Sequence, residues 1–204
     1  MLGRVKIAVL VSGGGTNLQA LIDAQAGGTI TSGEIALVLS SNPDAYALER
    51  AKKAGIPAAV VARKRCATQE QFEAEICEKL EQYNIDLIVL AGFMCILSAG
   101  FTARYKDRII NVHPSLIPAF CGKGFYGLRV HEAALNYGVK VTGATVHFVN
   151  EIPDGGKIIL QKAVPVEEND TPQTLQKRVM EQAEWILLPQ AVELVSRELQ
   201  QKKE

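Results

Sequence analysis

Lys6-Ile-Ala-Val-Leu-Val11, running straight into Ser12-Gly-Gly-Gly-Thr-Asn17, is the stretch on which the fold turns. A short Val- and Ile-rich run that breaks into glycines and then into a helix-length stretch over 17–26 reads as a buried strand, a tight turn and a helix. The rhythm repeats. Apolar runs at 35–39, 58–61, 87–91 and 109–112 alternate with helix-length stretches at 45–54 and 69–83. In the last of these Phe72, Ile76 and Leu80 stand at four-residue spacing, which makes one apolar stripe. Such alternation predicts parallel strands with right-handed crossovers and helices on both faces of the sheet. The expected class is therefore α/β, with a Rossmann-like open twisted sheet. Beyond residue 113 a Pro- and Gly-rich loop (114–127) leads to a helix near 130–136 and strands at 141–149 and 158–166, which predicts mixed or antiparallel strands in the C-terminal half. Thr171-Pro-Gln-Thr174 opens one last long helix, with Thr171 as N-cap and Thr174 where a capping box places Glu or Gln, so only half of that signature is present. The charged residues 197–204 are expected to fray.

The chain has 204 residues, with 22 Lys+Arg against 22 Asp+Glu and 48% apolar residues. No repeat or linker interrupts it, and a single domain of this size buries about 70% of its unfolded surface, enough to hold without staples. Cys66, Cys77, Cys95 and Cys121 lie 11, 18 and 26 residues apart, which fits neither a zinc pair nor a secreted disulfide framework. A formal net charge of zero argues against nucleic acid as partner, since phosphate affinity is built on clustered positive charge. The longest apolar stretch, 87–97, has 11 residues, short of the ~18 that suggest a membrane span. The first strand starts almost at once and leaves no room for a leader peptide, so a cytoplasmic protein acting on small molecules is expected.

In an open α/β sheet ligands bind beyond the carboxyl ends of the parallel strands. The loop Ser12-Gly-Gly-Gly-Thr-Asn17 has backbone N–H groups able to approach a phosphate at a helix N-terminus, with Thr16 and Asn17 as added donors. It lacks a Walker lysine, and Leu18 stands where a dinucleotide fingerprint has a third small residue. The second strand ends in Ser40-Ser-Asn42 without the acid that would hold a ribose. A monophosphate cradle and a merely tight turn both remain open.

In Asn111-Val-His-Pro-Ser115, alternation along an extended segment puts Asn111 and His113 on one side, where an amide and an imidazole converge. Alone, such a histidine is either structural or catalytic. Asp154-Gly-Gly156 is either a turn former or a carboxylate set against His113 to keep its charged form near neutrality. His131, next to Glu132, is expected on a solvated helix face, and His147 as a packing residue with a satisfied ring. Spacings of 18 and 16 residues among the three histidines do not suggest a metal site. Ser115 lacks a nucleophile elbow, which disfavours a hydrolase triad.

Taken in order, Ser12-Gly-Gly-Gly-Thr-Asn-Leu-Gln-Ala-Leu21, Ser41-Asn42, Leu90-Ala-Gly-Phe-Met94, Ile110-Asn-Val-His-Pro-Ser-Leu-Ile-Pro118, Gly143-Ala-Thr-Val-His-Phe-Val149 and Asp154-Gly-Gly156 resemble the folate-dependent formyltransferase superfamily, over nearly the whole chain. The phosphate loop with Asn17 narrows the resemblance to its glycinamide ribonucleotide branch. The resemblance implies one formyltransferase domain over 1–204, with a phosphate-binding half to about residue 110 and a folate-binding, catalytic half after it. It implies transfer of the formyl group of 10-formyltetrahydrofolate to the amine of glycinamide ribonucleotide in purine synthesis, without a metal. Asn111, His113 and Asp154 would be the catalytic set, acting through a tetrahedral intermediate. Gly15, Thr16 and Asn17 would hold the substrate phosphate and Glu184 its ribose. The folate would lie against Met94, Cys95, Ile96, Leu97, Asn150, Glu151 and Asp154.

Several positions depart from the pattern. Cys95 and Gln69 stand where arginines often meet the folate tail, Trp185 replaces a frequent His, and Cys121-Gly-Lys-Gly-Phe-Tyr-Gly127 is longer than usual, with Lys123 or Arg129 expected to compensate for the lost positive charge. Two rival readings are a formyltetrahydrofolate hydrolase, which usually carries an extra N-terminal domain, and a non-catalytic phosphometabolite-binding module. Oligomeric state is left open by the balanced charge.

Overall fold

A computed structural model describes residues 3–202 of the chain. The first half alternates as the apolar runs predict: β1 (Val5–Val11), α1 (Thr16–Ala26), β2 (Gly33–Ser40), α2 (Ala47–Lys53), β3 (Ala58–Val60), α3 (Gln69–Gln82), β4 (Leu87–Leu90), α4 (Ala99–Arg104) and β5 (Ile109–His113). The second half adds α5 (Leu128–Tyr137), β6 (Val141–Phe148), β7 (Ile158–Pro165), α6 (Pro172–Val179) and α7 (Trp185–Gln201). The seven strands form one sheet in the order β3-β2-β1-β4-β5-β6-β7. The pairs from β3 through β5 are parallel, whereas β5 with β6 and β6 with β7 are antiparallel.

Period-2 alternation in β1 splits the core into two layers. Val9 and Val11 face Leu18 and Leu21 of α1 with Leu188 and Val192 of α7, while Ala8 and Leu10 face Phe72, Ile76 and Leu80 of α3. Burying a side chain of that size contributes about 1.5–3 kcal/mol. Three on one stripe weigh heavily against a total stability of roughly 5–15 kcal/mol.

Strand order reverses at β1, which pairs with β2 on one side and β4 on the other. Helices therefore leave in opposite directions there, and a crevice opens between the loops that follow β1 and β4. Those two loops are tied together, because Met94 N–H donates to Ser12 Oγ at 2.9 Å and Ser12 Oγ lies 2.6 Å from Ser41 Oγ after β2.

The structure departs from the sequence reading in five places. α4, six residues long, is too short for periodicity to reveal, and its start is set by Ser98 Oγ accepting from Phe101 N–H at 3.1 Å. The capping box of α6 is complete, since Thr171 N–H donates to Thr174 Oγ1 and Thr174 N–H to Thr171 Oγ1; a hydroxyl does the work of the expected Glu or Gln. The predicted single C-terminal helix is interrupted by a π-turn over Met180–Glu184. His131 is 1% exposed rather than solvated. Burial, with a smaller push from His113, lowers its pKa to about 4. The C-terminal segment remains helical to Gln201, and Lys203 and Glu204 lie outside the described residues.

Glu193 of α7 fastens the chain reversal before β2. Its carboxylate accepts from Thr31 N–H at 2.8 Å and Ser32 N–H at 3.0 Å, from both of their hydroxyls, and from Arg197 at 2.7 Å. Burial alone would raise its pKa, but these donors outweigh it and hold the group at about 2, against 4.5 ordinarily. A depressed folded pKa stabilises above the unfolded value and is lost as pH falls through the folded one. Glu193→Gln should therefore cost about 1–3 kcal/mol in urea unfolding at neutral pH, with the gap from wild type closing between pH 4.5 and about 2. A gap of constant size over that range would contradict the assignment.

Candidate active site

The antiparallel register of β5 on β6 sets Asn111 opposite His147 and His113 opposite Thr145. His147 Nδ1–H donates to Phe148 O at 2.8 Å, and Nε2 of the same ring faces Asn111 Nδ2–H at 3.2 Å. One amide hydrogen of Asn111 is thereby fixed, and its second is free to serve the cleft. The sequence reading had His147 right as a satisfied buried ring but missed its place in the site. Only the register, which is not a local property, could reveal it.

Asp154 reaches the same place from the turn between β6 and β7. Its backbone is left-handed, with φ 57°, and the chain closes behind it at Gly156, where a Cβ would come within 1.7 Å of Phe148 O. Gly122 N–H donates to Asp154 Oδ2 at 2.8 Å. The same oxygen is 3.5 Å from His113 Nδ1, and Oδ1 is 3.6 Å from His147 Nε2. Burial pushes the Asp154 carboxyl up, but the two histidines and the Gly122 N–H outweigh it, and the net shift is downward from 3.8. Asp154 is ionised at neutral pH.

His113, 4% exposed, lies behind this carboxylate. Its Nε2 is 2.8 Å from Phe120 O, so Nε2 carries the hydrogen and Nδ1 faces Asp154. Phe120 holds that carbonyl from a left-handed backbone, φ 49°, a conformation that costs a non-glycine residue roughly 1–2 kcal/mol. The loop pays this strain because it is pinned elsewhere: Thr145 Oγ1 donates to Ser115 O at 2.6 Å and accepts from Ile117 N–H at 3.1 Å. The expectation that Asp154 keeps His113 charged near neutrality is corrected here. Desolvation dominates, the carboxylate and the Phe120 carbonyl offset it only in part, and the pKa lies below 6.5. The resting ring is neutral at pH 7.

The glycine loop meets α1 at Gly15, whose φ of 72° and approach to Ala47, 2.7 Å from a virtual Cβ, exclude other residues. Arg50 Nε donates to Gly14 O at 2.8 Å, which turns the carbonyl away and leaves the first-turn N–H groups of α1 at an N-terminus suited to an anion. Asn17 departs from its expected role as a free donor. Its Nδ2 is spent on Glu184 Oε2 at 2.7 Å, across 167 residues of sequence, while its Oδ1 is buried without a partner among the described residues. Glu184, 6% exposed, is the last residue of the π-turn, a widened turn that often re-aims functional side chains. Burial raises its pKa to about 6, against the smaller opposing pull of Asn17.

A cleft of about 140 Å³ collects Asn111, His147 and Asp154 with Cys95, Ile96, Leu97, Asn150 and Glu151. Met94, expected here, does not line it; it is exposed and held by its backbone to Ser12. Thr16 instead borders a separate depression of about 150 Å³ with Arg50 and Trp185. Gln69 has no free amide hydrogen, since Nε2 donates to Glu73 Oε1 at 2.7 Å and Ile96 O at 3.0 Å. Arg129 stacks over Tyr126 at 4.9 Å, and neither it nor Lys123 lines the cleft.

Because Asp154 is the main group favouring the charged ring of His113, Asp154→Asn should lower the His113 midpoint further below 6.5 in an NMR titration. A midpoint that stays put would break the pairing.

Known proteins resemble this chain in sequence and in fold. A family model described as formyl transferase matches residues 5–192. The phosphoribosylglycinamide formyltransferase of Haemophilus influenzae is 46% identical over 177 residues, 87% of this chain and 81% of that protein. The trifunctional purine biosynthetic protein adenosine-3 of Gallus gallus is 45% identical over 95% of this chain, which spans only 18% of that longer protein. The solved glycinamide ribonucleotide transformylase 1 of Symbiobacterium toebii superposes with a TM-score of 0.89 at 42% identity, covering 96% of this chain and 89% of that one. Matching in sequence along most of its length and in fold, the chain belongs to the phosphoribosylglycinamide formyltransferases of the formyl transferase family.

Proposed function

We propose that the protein transfers the formyl group of 10-formyltetrahydrofolate to the amine of glycinamide ribonucleotide, in purine synthesis. The observation that carries this reading is the meeting of Asn111 and Asp154 on one cleft wall, with His113 3.5 Å behind the carboxylate. The wall suits a flat heterocycle, with Ile96 and Ile152 exposed on its rim and the backbone of the Asn150–Asp154 turn available to polar edges. The ribonucleotide phosphate would rest on the N–H groups of Gly15, Thr16 and Asn17, and a ribose hydroxyl would reach Glu184.

The neutral amine attacks the formyl carbon, and negative charge grows on the formyl oxygen. The free Asn111 amide hydrogen donates to that oxygen; one such donor is worth about 2.7–4 kcal/mol, roughly a hundred- to a thousandfold in rate. His113 begins neutral, with Nε2–H committed to Phe120 O. As the amine nitrogen turns cationic on bonding to the formyl carbon, its proton passes by way of Asp154 to His113 Nδ1, the ring nitrogen on the side of Asp154, where the ionised carboxylate steadies the imidazolium. When the tetrahedral adduct collapses, the C=O bond re-forms, the bond to the folate nitrogen breaks, and the same proton returns from His113 through Asp154 and water to that departing nitrogen. No covalent adduct with the protein is needed.

The test is formyl transfer with both substrates, run beside a control without the amine acceptor. Acceptor-dependent product is expected; formate release without acceptor would indicate a hydrolase, and no turnover a binding module. Asn111→Ala should reduce kcat about a hundred- to a thousandfold with the ribonucleotide KM within a few fold, and full turnover would exclude the role. Glu184 carries a raised pKa, so its carboxylate is ionised only above about 6. The ribonucleotide KM should then fall as pH rises through about 6 and lose that step in Glu184→Gln. The same step in both proteins would remove Glu184 from the ribose site.

A further inference from the structure

The cleft wall that follows β4 is held from behind by a carboxylate outside the catalytic set. Glu73 on α3 is 8% exposed. Its Oε1 accepts from Ser98 N–H at 2.6 Å and from Gln69 Nε2 at 2.7 Å, and its Oε2 accepts from Ser98 Oγ–H at 2.5 Å. Gln69 spends its other amide hydrogen on Ile96 O at 3.0 Å. One turn away on the same helix, Phe72 stacks on Phe93 with ring centroids 6.3 Å apart. The segment from Phe93 to Ser98 is thus gripped at Phe93, Ile96 and Ser98 by a single helix, and at Met94 by Ser12 of the anion loop. The residues between these grips, Cys95, Ile96 and Leu97, line the cleft.

Such a carboxylate is expensive to bury unless its donors are in place. Its cost is repaid by geometry: a short segment without secondary structure of its own keeps one shape. We propose that Glu73 is a positioning residue for recognition of the formyl donor, fixing the 93–98 wall through Ser98 and Gln69, while the anion cradle touches that wall through the Met94–Ser12 bond and Asn111 stands on β5 beside it. The inference rests on the proposed function for the identity of the donor.

Steady-state kinetics of the full chain test it. Glu73→Ala should raise the KM for 10-formyltetrahydrofolate about ten- to a hundredfold, since it leaves Ser98 N–H and Gln69 without their acceptor. The ribonucleotide KM and kcat should move by less than about threefold. Glu73→Gln, which keeps an acceptor for Ser98 N–H, should recover most of the loss. Gln69→Ala, which removes the Ile96 tether and one donor to Glu73 but keeps both Ser98 contacts, should raise the folate KM in the same direction and serves as the test if near-UV circular dichroism shows Glu73→Ala to be unfolded. An unchanged folate KM in a folded variant, or equal rises in both KM values, overturns the proposal. If the wild type transfers no formyl group, the functional reading fails separately, and titration calorimetry with tetrahydrofolate then reads the clamp through the same variants.

Discussion

The antiparallel pairing of β5 with β6 is the constraint on which the site depends. A one-residue slip would carry Asn111 and His113 to the opposite face of the sheet and part them from His147. The register is held where the alternating apolar residues demand it, with Ile110 and Val112 of β5 and Val146 of β6 packed into the core on the other side. The same pairing lets the turn after β6 fold back and deliver Asp154. Packing that looks purely structural thus fixes the Asn111 amide, the ring that orients it and the carboxylate beside it.

A second consequence concerns charge. The site is dry enough that desolvation of His113 outweighs an ionised aspartate 3.5 Å away. A permanently charged imidazolium would demand a fully compensating shell, whereas in the proposed transfer a neutral ring that takes the amine's proton as the adduct forms is differential stabilisation of the kind that lowers a barrier. The strained Phe120 carbonyl matters for this reason: by fixing one ring nitrogen as donor it decides where the second proton goes.

What the sequence disclosed follows from range. The strands, the main helices and the glycine loop are written in local apolar periodicity and turn chemistry, and strand alternation alone places Asn111 and His113 on one side. The switch from parallel to antiparallel strands is visible in the Pro- and Gly-rich break after residue 113. Features that depend on distant partners are not visible in this way. His147 needs the register, Asn17 needs Glu184 from the far end of the chain, and Glu73 carries no motif because Ser98, which supplies two of its three donors, belongs to a loop 25 residues away. For His131 the adjacent glutamate suggests solvent, yet α5 turns that side inward. The π-turn escaped because five residues of wider winding barely disturb a helical pattern.

The most direct measurement is the protonation of His113 in the assembled site, read by ¹⁵N NMR of the labelled ring with glycinamide ribonucleotide and a non-transferable analogue carrying a tetrahedral, anionic centre in place of the formyl carbon. The account predicts a ring that is neutral with hydrogen on Nε2 in the free protein and becomes doubly protonated, with the new hydrogen on Nδ1, in the complex. A ring that stays neutral in the complex, or that is already charged at pH 7 without ligands, would contradict it.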